Sequence, residues 1–121
     1  MEKFKKKAQD YFIIGKISQD LKKLDVACAN YFKALSALND YLLSTKNLFA
    51  KDHTSRFNLL KENFPEVYEI TSSLFLIYRK TYTQEIDEEE TIYLLNKIME
   101  VFKNAGIEIP SIEKDTKKKS K

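Results

Sequence analysis

The sequence predicts an all-α fold, an up-and-down bundle of four to five helices. Three observations lead there. Apolar residues recur at intervals of three and four along most of the chain. Two Gly and two Pro among 121 residues leave little material for the tight turns of a many-stranded sheet. Asp25, Asp52, Pro65 and Asp87 punctuate the periodic stretches where helices would start. A hydrophobic content of 43%, with 12% aromatic residues, is enough to fill one core in a chain of this length.

The first helix is predicted from Glu2 to about Lys23, with Phe4, Ala8, Tyr11, Phe12, Ile17, Leu21 and Leu24 as its apolar stripe. Gly15 interrupts it, at about 1 kcal/mol relative to Ala, and predicts a kink or a break near Ile14 to Lys16 within one long first helix. Asp25 is placed as the N-cap of a second helix reaching Lys46, because its carboxylate can accept from free backbone N–H groups. Along that helix Ala27, Tyr31, Ala34, Leu38, Tyr41 and Thr45 step by four and three. Its small residues admit close neighbours, which places it at the centre of the bundle.

Asp52 is expected to cap a third helix to about Glu62, with Phe57, Leu60 and Phe64 inward. Pro65 suits the first turn of a fourth helix and disfavours helix in the residue before it. Val67, Ile70, Leu74, Ile77, Tyr78 and Thr81 form that helix's stripe, and Phe75 and Leu76 widen it beyond what one neighbour covers. Asp87 and Glu90 have the spacing of a capping box and open a fifth helix, running to about Asn104 and burying Ile92, Leu95, Met99 and Phe102. Gly106 is its left-handed stop. The domain is therefore drawn as residues 1–106, with a disordered Lys-rich tail over 107–121. Short links make consecutive helices antiparallel neighbours.

Charge narrows the function classes. The net charge is +3, of which the tail holds two through Lys114, Lys117, Lys118, Lys119 and Lys121 against Glu108, Glu113 and Asp115. A near-neutral body does not demand a nucleic-acid face. No stretch approaches the roughly 20 apolar residues that cross a bilayer, and Tyr11 to Ile14 is too short for a signal-sequence core, so a membrane partner is not expected. The single Cys28 excludes an internal disulfide and fits a reduced, cytoplasmic setting.

His53 is the only histidine, which leaves no basis for a multi-histidine metal site, and no cofactor is expected. Its structural role would be at a helix N-terminus, packed on Tyr78 or Tyr82. Arg79, Lys80 and Tyr82 fall at the end of the fourth helix, where cations meet exposed carbonyls. The functional alternative is a polar cleft in which His53, Arg56, Arg79, Lys80 and Tyr82 hold a phosphate or an RNA backbone, since guanidinium groups match phosphate bidentately. Glu88, Glu89 and Glu90 point about 100° apart on a helix and cannot share an acid–base site. No catalytic constellation is assigned.

The run from Leu24 through Leu38, then Asp52-His53 opening a helix with Leu59-Leu60, Phe64-Pro65, and Tyr78-Arg79-Lys80-Thr81-Tyr82, resembles a small archaeal or bacterial HEPN-type helical domain over residues 5–105. The resemblance implies a four- or five-helix bundle, often dimeric, in a superfamily active in RNA cleavage, toxin–antitoxin and defence systems. Its ribonucleases resemble one another in an Arg followed, after four to six residues, by His. Here Arg79 is followed at those positions by Gln84, Glu85 and Ile86. Without that imidazole the usual proton-transfer group is missing. The expectation is a non-catalytic, homodimeric interaction module with a protein partner; the alternatives are an RNA- or nucleotide-binding protein of a toxin–antitoxin or defence-type system, and a degenerate ribonuclease.

Overall fold

The computed structural model describes residues 1–111, which form five helices: α1 (Glu2–Asp20), α2 (Leu24–Ser44), α3 (His53–Asn63), α4 (Pro65–Lys80) and α5 (Glu88–Ala105). No strand occurs among the described residues. The tail from residue 112 onward lies outside them. The body continues past the boundary expected at 106: Ile107 is buried, Ile109 packs on the core, and Gln9 Nε2 donates to the Glu108 carbonyl at 3.0 Å.

α2 is the central rod and packs against all four other helices. Ala27, Ala34 and Ala37 are buried on it beside Tyr31, Phe32, Leu35 and Leu38. The small residues let neighbouring backbones approach, while the large ones fill the space between them. α1 returns antiparallel along α2, which brings the Met1 amino group within 3.3 Å of Ser44 Oγ. α4 also runs antiparallel to α2: Asn39 meets Thr71, and Phe32, seven residues earlier on α2, stacks on Tyr78, seven residues later on α4. α5 starts beside the start of α2, where Cys28 Sγ lies 3.5 Å from Thr91 Oγ1.

Three of the predicted punctuation marks are built as the local chemistry demands. Asp52 and Ser55 form a reciprocal capping box at α3, and Asp87 and Glu90 form one at α5. Pro65 is the first residue of α4, and Gly106 closes α5 with φ 70°. The two capping boxes and Gly106 satisfy backbone groups that a helix end leaves without partners, and Pro65 removes one such donor by lacking an N–H.

Other expectations are corrected. Asp25 does not cap α2. The helix begins two residues earlier than expected, with Lys23 at the N-cap and no side-chain cap, because Lys22 at φ 61° turns the chain immediately after α1. The Asp25 carboxylate instead accepts the backbone N–H of Ile86 at 3.1 Å, supplying a nearly buried amide with a partner. α1 is continuous through Gly15 and ends at Asp20. Gly15 lies beneath the Tyr31 ring, where a Cβ would stand 2.5 Å from two ring carbons. The glycine permits a close helix approach and does not break the helix.

The buried faces are also rotated from those predicted. On α1, Ala8, Phe12, Gly15 and Ser18 point inward, while Ile17 and Leu21 are exposed. On α5, Ile92 is exposed and the inward line is Thr91, Leu94, Leu95, Ile98, Val101 and Phe102. Thr91 enters the core because its hydroxyl donates to the Asp87 carbonyl at 2.9 Å. The broad apolar face of α4 is covered within the chain by α2, α3 and α5, leaving Leu76 exposed.

Candidate functional site

Four helices enclose a cleft of about 340 Å³, at the small end of the range for ligand sites. α1 contributes Phe4, Lys7 and Tyr11, spaced by three and four so that they share one side of the helix. α2 contributes Phe32, Lys33, Ser36, Ala37 and Asp40 by the same rule. The N-terminus of α3 adds Asp52, His53 and Arg56, and α4 adds Tyr78.

One wall is a fixed polar chain. Arg56 donates to both Asp40 oxygens, Nε to Oδ1 at 2.8 Å and Nη2 to Oδ2 at 3.0 Å, with only 15% and 17% of the two side chains exposed. Arg56 Nη1 lies 3.1 Å from His53 Nδ1. A guanidinium only donates, so Nδ1 accepts and the proton of the neutral imidazole sits on Nε2. Asp52 is engaged as well: its carboxylate accepts from Ser55, whose backbone N–H and hydroxyl hold its pKa below the usual value. Both carboxylates of the cleft therefore have partners.

The other walls are aromatic and cationic. Tyr78 stacks on Phe32 at 4.5 Å between centroids and 12° between planes. Its hydroxyl is 2.8 Å from that of Tyr82; this hydrogen bond, then burial, pushes the Tyr78 pKa up to about 12. Lys33 Nζ lies 5.9 Å from the Tyr11 ring centroid, a loose cation–π contact. Lys7 and Lys33 make no ion pair among the described residues.

The five residues singled out in the sequence are only partly brought together. His53 and Arg56 line the cleft, and Tyr82 reaches it through Tyr78. Lys80 is instead paired with Glu90, tying the end of α4 to the start of α5. Arg79 is exposed and does not line the cleft. Three consecutive helical residues face three directions, so Tyr78, Arg79 and Lys80 cannot serve one site. His53 pairs with Phe75 rather than with the expected Tyr78 or Tyr82, at 6.4 Å between ring centroids and 52° between planes, a tilted contact and not a stack.

Phe4, Lys7, Tyr11, Lys33 and Ser36 were not anticipated as site residues. Their signal is the three-and-four spacing on α1 and α2, which alone does not say that the two lines face a shared opening. Among the described residues no group of three or more His, Cys, Asp or Glu stands together as a metal site, and no helix is long and apolar enough to cross a membrane. No family model, no curated protein and no solved structure matches the chain.

Proposed function

We propose that the chain is a HEPN-like helical binding module whose cleft takes a nucleoside phosphate, either free or at the end of an RNA. The observation that supports this reading is the meeting of Lys7 and Lys33 with aromatic side chains around an opening whose two carboxylates are already engaged. Two ammonium groups without carboxylate partners attract an anion, and aromatic rings provide contact for a planar base. The Asp40–Arg56–His53 chain supplies a rigid edge, with the His53 Nε2 proton as a donor.

The reading assigns holding rather than cleavage. His53 is occupied through Nδ1 by Arg56, and Arg79 stands apart from both. Calorimetric titration of the full chain with each of the four nucleoside 5′-monophosphates, and with a short 5′-phosphorylated RNA, tests it. Lys7→Ala and Lys33→Ala should each weaken binding about tenfold, and affinity should fall as salt rises. No heat or spectral change at low salt with any of these ligands refutes the proposal.

A further inference from the structure

The cleft lies along a seam between two unequally packed parts of the fold. α1, α2 and α5 share the larger core: the Phe12 ring meets Tyr31 of α2 and Phe102 of α5, and all three are buried. By contrast α3 buries only Leu60, and α4 only Val67, Thr71 and Leu74. Apolar burial is the main force that holds an element in place, so α3 and α4 are the weakly held part.

Much of what fastens them to the core is polar. Arg56 pairs with Asp40, Lys46 Nζ donates to the Asn63 carbonyl at 3.2 Å, and Lys80 pairs with Glu90. Inside the seam Asn39 is fully buried; its Nδ2 donates to Thr71 Oγ1 at 2.9 Å, and no donor among the described residues reaches its Oδ1. Water replaces such bonds at small net cost, and hydration on opening gives the Asn39 oxygen a partner. Phe32 supplies the aromatic part of the seam, against Phe75 and Tyr78.

α3 and α4 hold each other more directly. Only Phe64 separates them; its N–H donates to the Leu60 carbonyl at 2.7 Å and its carbonyl accepts from the Tyr68 N–H at 2.9 Å. Phe57 of α3 meets Tyr68 and Phe75 of α4 edge to face, at 6.2 and 5.4 Å between centroids. The two connections to the rest of the chain, residues 45–52 and 81–87, carry no helix.

We infer that α3 and α4 form one low-stability unit that leaves the α1–α2–α5 core as a pair while that core stays folded, and that this opening gates the cleft. His53, Arg56 and Tyr78 belong to the unit and Lys7 and Lys33 to the core, so opening parts the two walls. The inference does not depend on the ligand-binding reading, because it concerns the walls with or without anything between them. With its 11 residues α3 is too short to persist alone in water, so release from α2 exposes its backbone amides to exchange.

Hydrogen–deuterium exchange of the full chain, read by mass spectrometry under conditions where rates report opening equilibria, tests the inference. The amides of α3 and α4 should share one degree of protection and exchange about 100-fold faster than the slowest amides of α2 and α5. Phe12→Leu weakens only the core, so it should speed the α2 and α5 amides about tenfold and leave those of α3 and α4 unchanged. Asp40→Ala loosens the seam and should speed α3 and α4 about thirtyfold. Equal protection across all helices overturns the inference. So does separate exchange of α3 and α4, a Phe12→Leu effect that reaches both sets equally, or an Asp40→Ala variant in which α3 and α4 exchange as before.

Discussion

Replacing Gly15 by Ala opposes two local rules, and the structure decides which prevails. In a helix interior the substitution should stabilise by about 1 kcal/mol, because glycine has more backbone freedom to lose on folding. Here the new Cβ would sit 2.5 Å from Cδ1 and Cε1 of Tyr31, where ordinary contact begins at 3.4 Å. The ring must move by about 1 Å to reach an ordinary separation. It is fully buried, lies 5.6 Å from the Phe12 ring, and its hydroxyl donates to Gln19 Oε1 at 2.6 Å.

Overpacking of this kind costs about 1–3 kcal/mol, and a weakened hydrogen bond adds about 1 kcal/mol. After the gain in helix propensity, Gly15→Ala should destabilise by about 1–3 kcal/mol. In urea unfolding followed by circular dichroism, the midpoint should fall by about 0.5–2 M. In a Tyr31→Leu background, where the ring is absent, the same substitution should become neutral or stabilising. A raised midpoint in the wild-type background, or no change of sign with Tyr31→Leu, would show that the ring does not press on Gly15.

Two further predictions concern the cleft. Asp40→Ala leaves the Arg56 guanidinium without its carboxylate and should lower stability by about 2–3 kcal/mol in urea, less than for a fully buried pair because both side chains keep some solvent contact; Asp40→Leu with Arg56→Met should stay near the wild type, and equal losses in the two variants would refute the pairing argument. The raised Tyr78 pKa favours the neutral phenol in the folded state, so its stabilising contribution is complete below pH 10 and is lost as pH rises toward about 12; Tyr82→Phe removes the largest cause, and ultraviolet absorbance titration should then show one tyrosine ionising closer to pH 10.

What was legible in the sequence is what depends on neighbours in the chain. Asp52, Pro65, Asp87 with Glu90, and Gly106 act through backbone groups within a few residues, and their types declare the geometry. Asp25 reads the same way locally, but its carboxylate is taken by Ile86, 61 residues away. Gly15 likewise looks like a helix flaw until Tyr31 is placed over it. Counting only apolar residues rotated the inward line of α5, since Thr91 enters the core through a hydrogen bond that hydropathy does not register. In the candidate site, His53 and Arg56 were visible as a pair one helical turn apart. Asp40, Lys7, Lys33 and Tyr78 join them only through packing among four helices.

The clasp between Gln9 and Glu108, with Ile107 sealed beneath it, also fixes where the last described residues lie. Ser111 stands beside Phe12 and Lys16, at the waist of the first rod rather than at a pole of the bundle. A probe attached at Ser111 itself would therefore report on the lateral surface of α1 rather than on either end of the bundle.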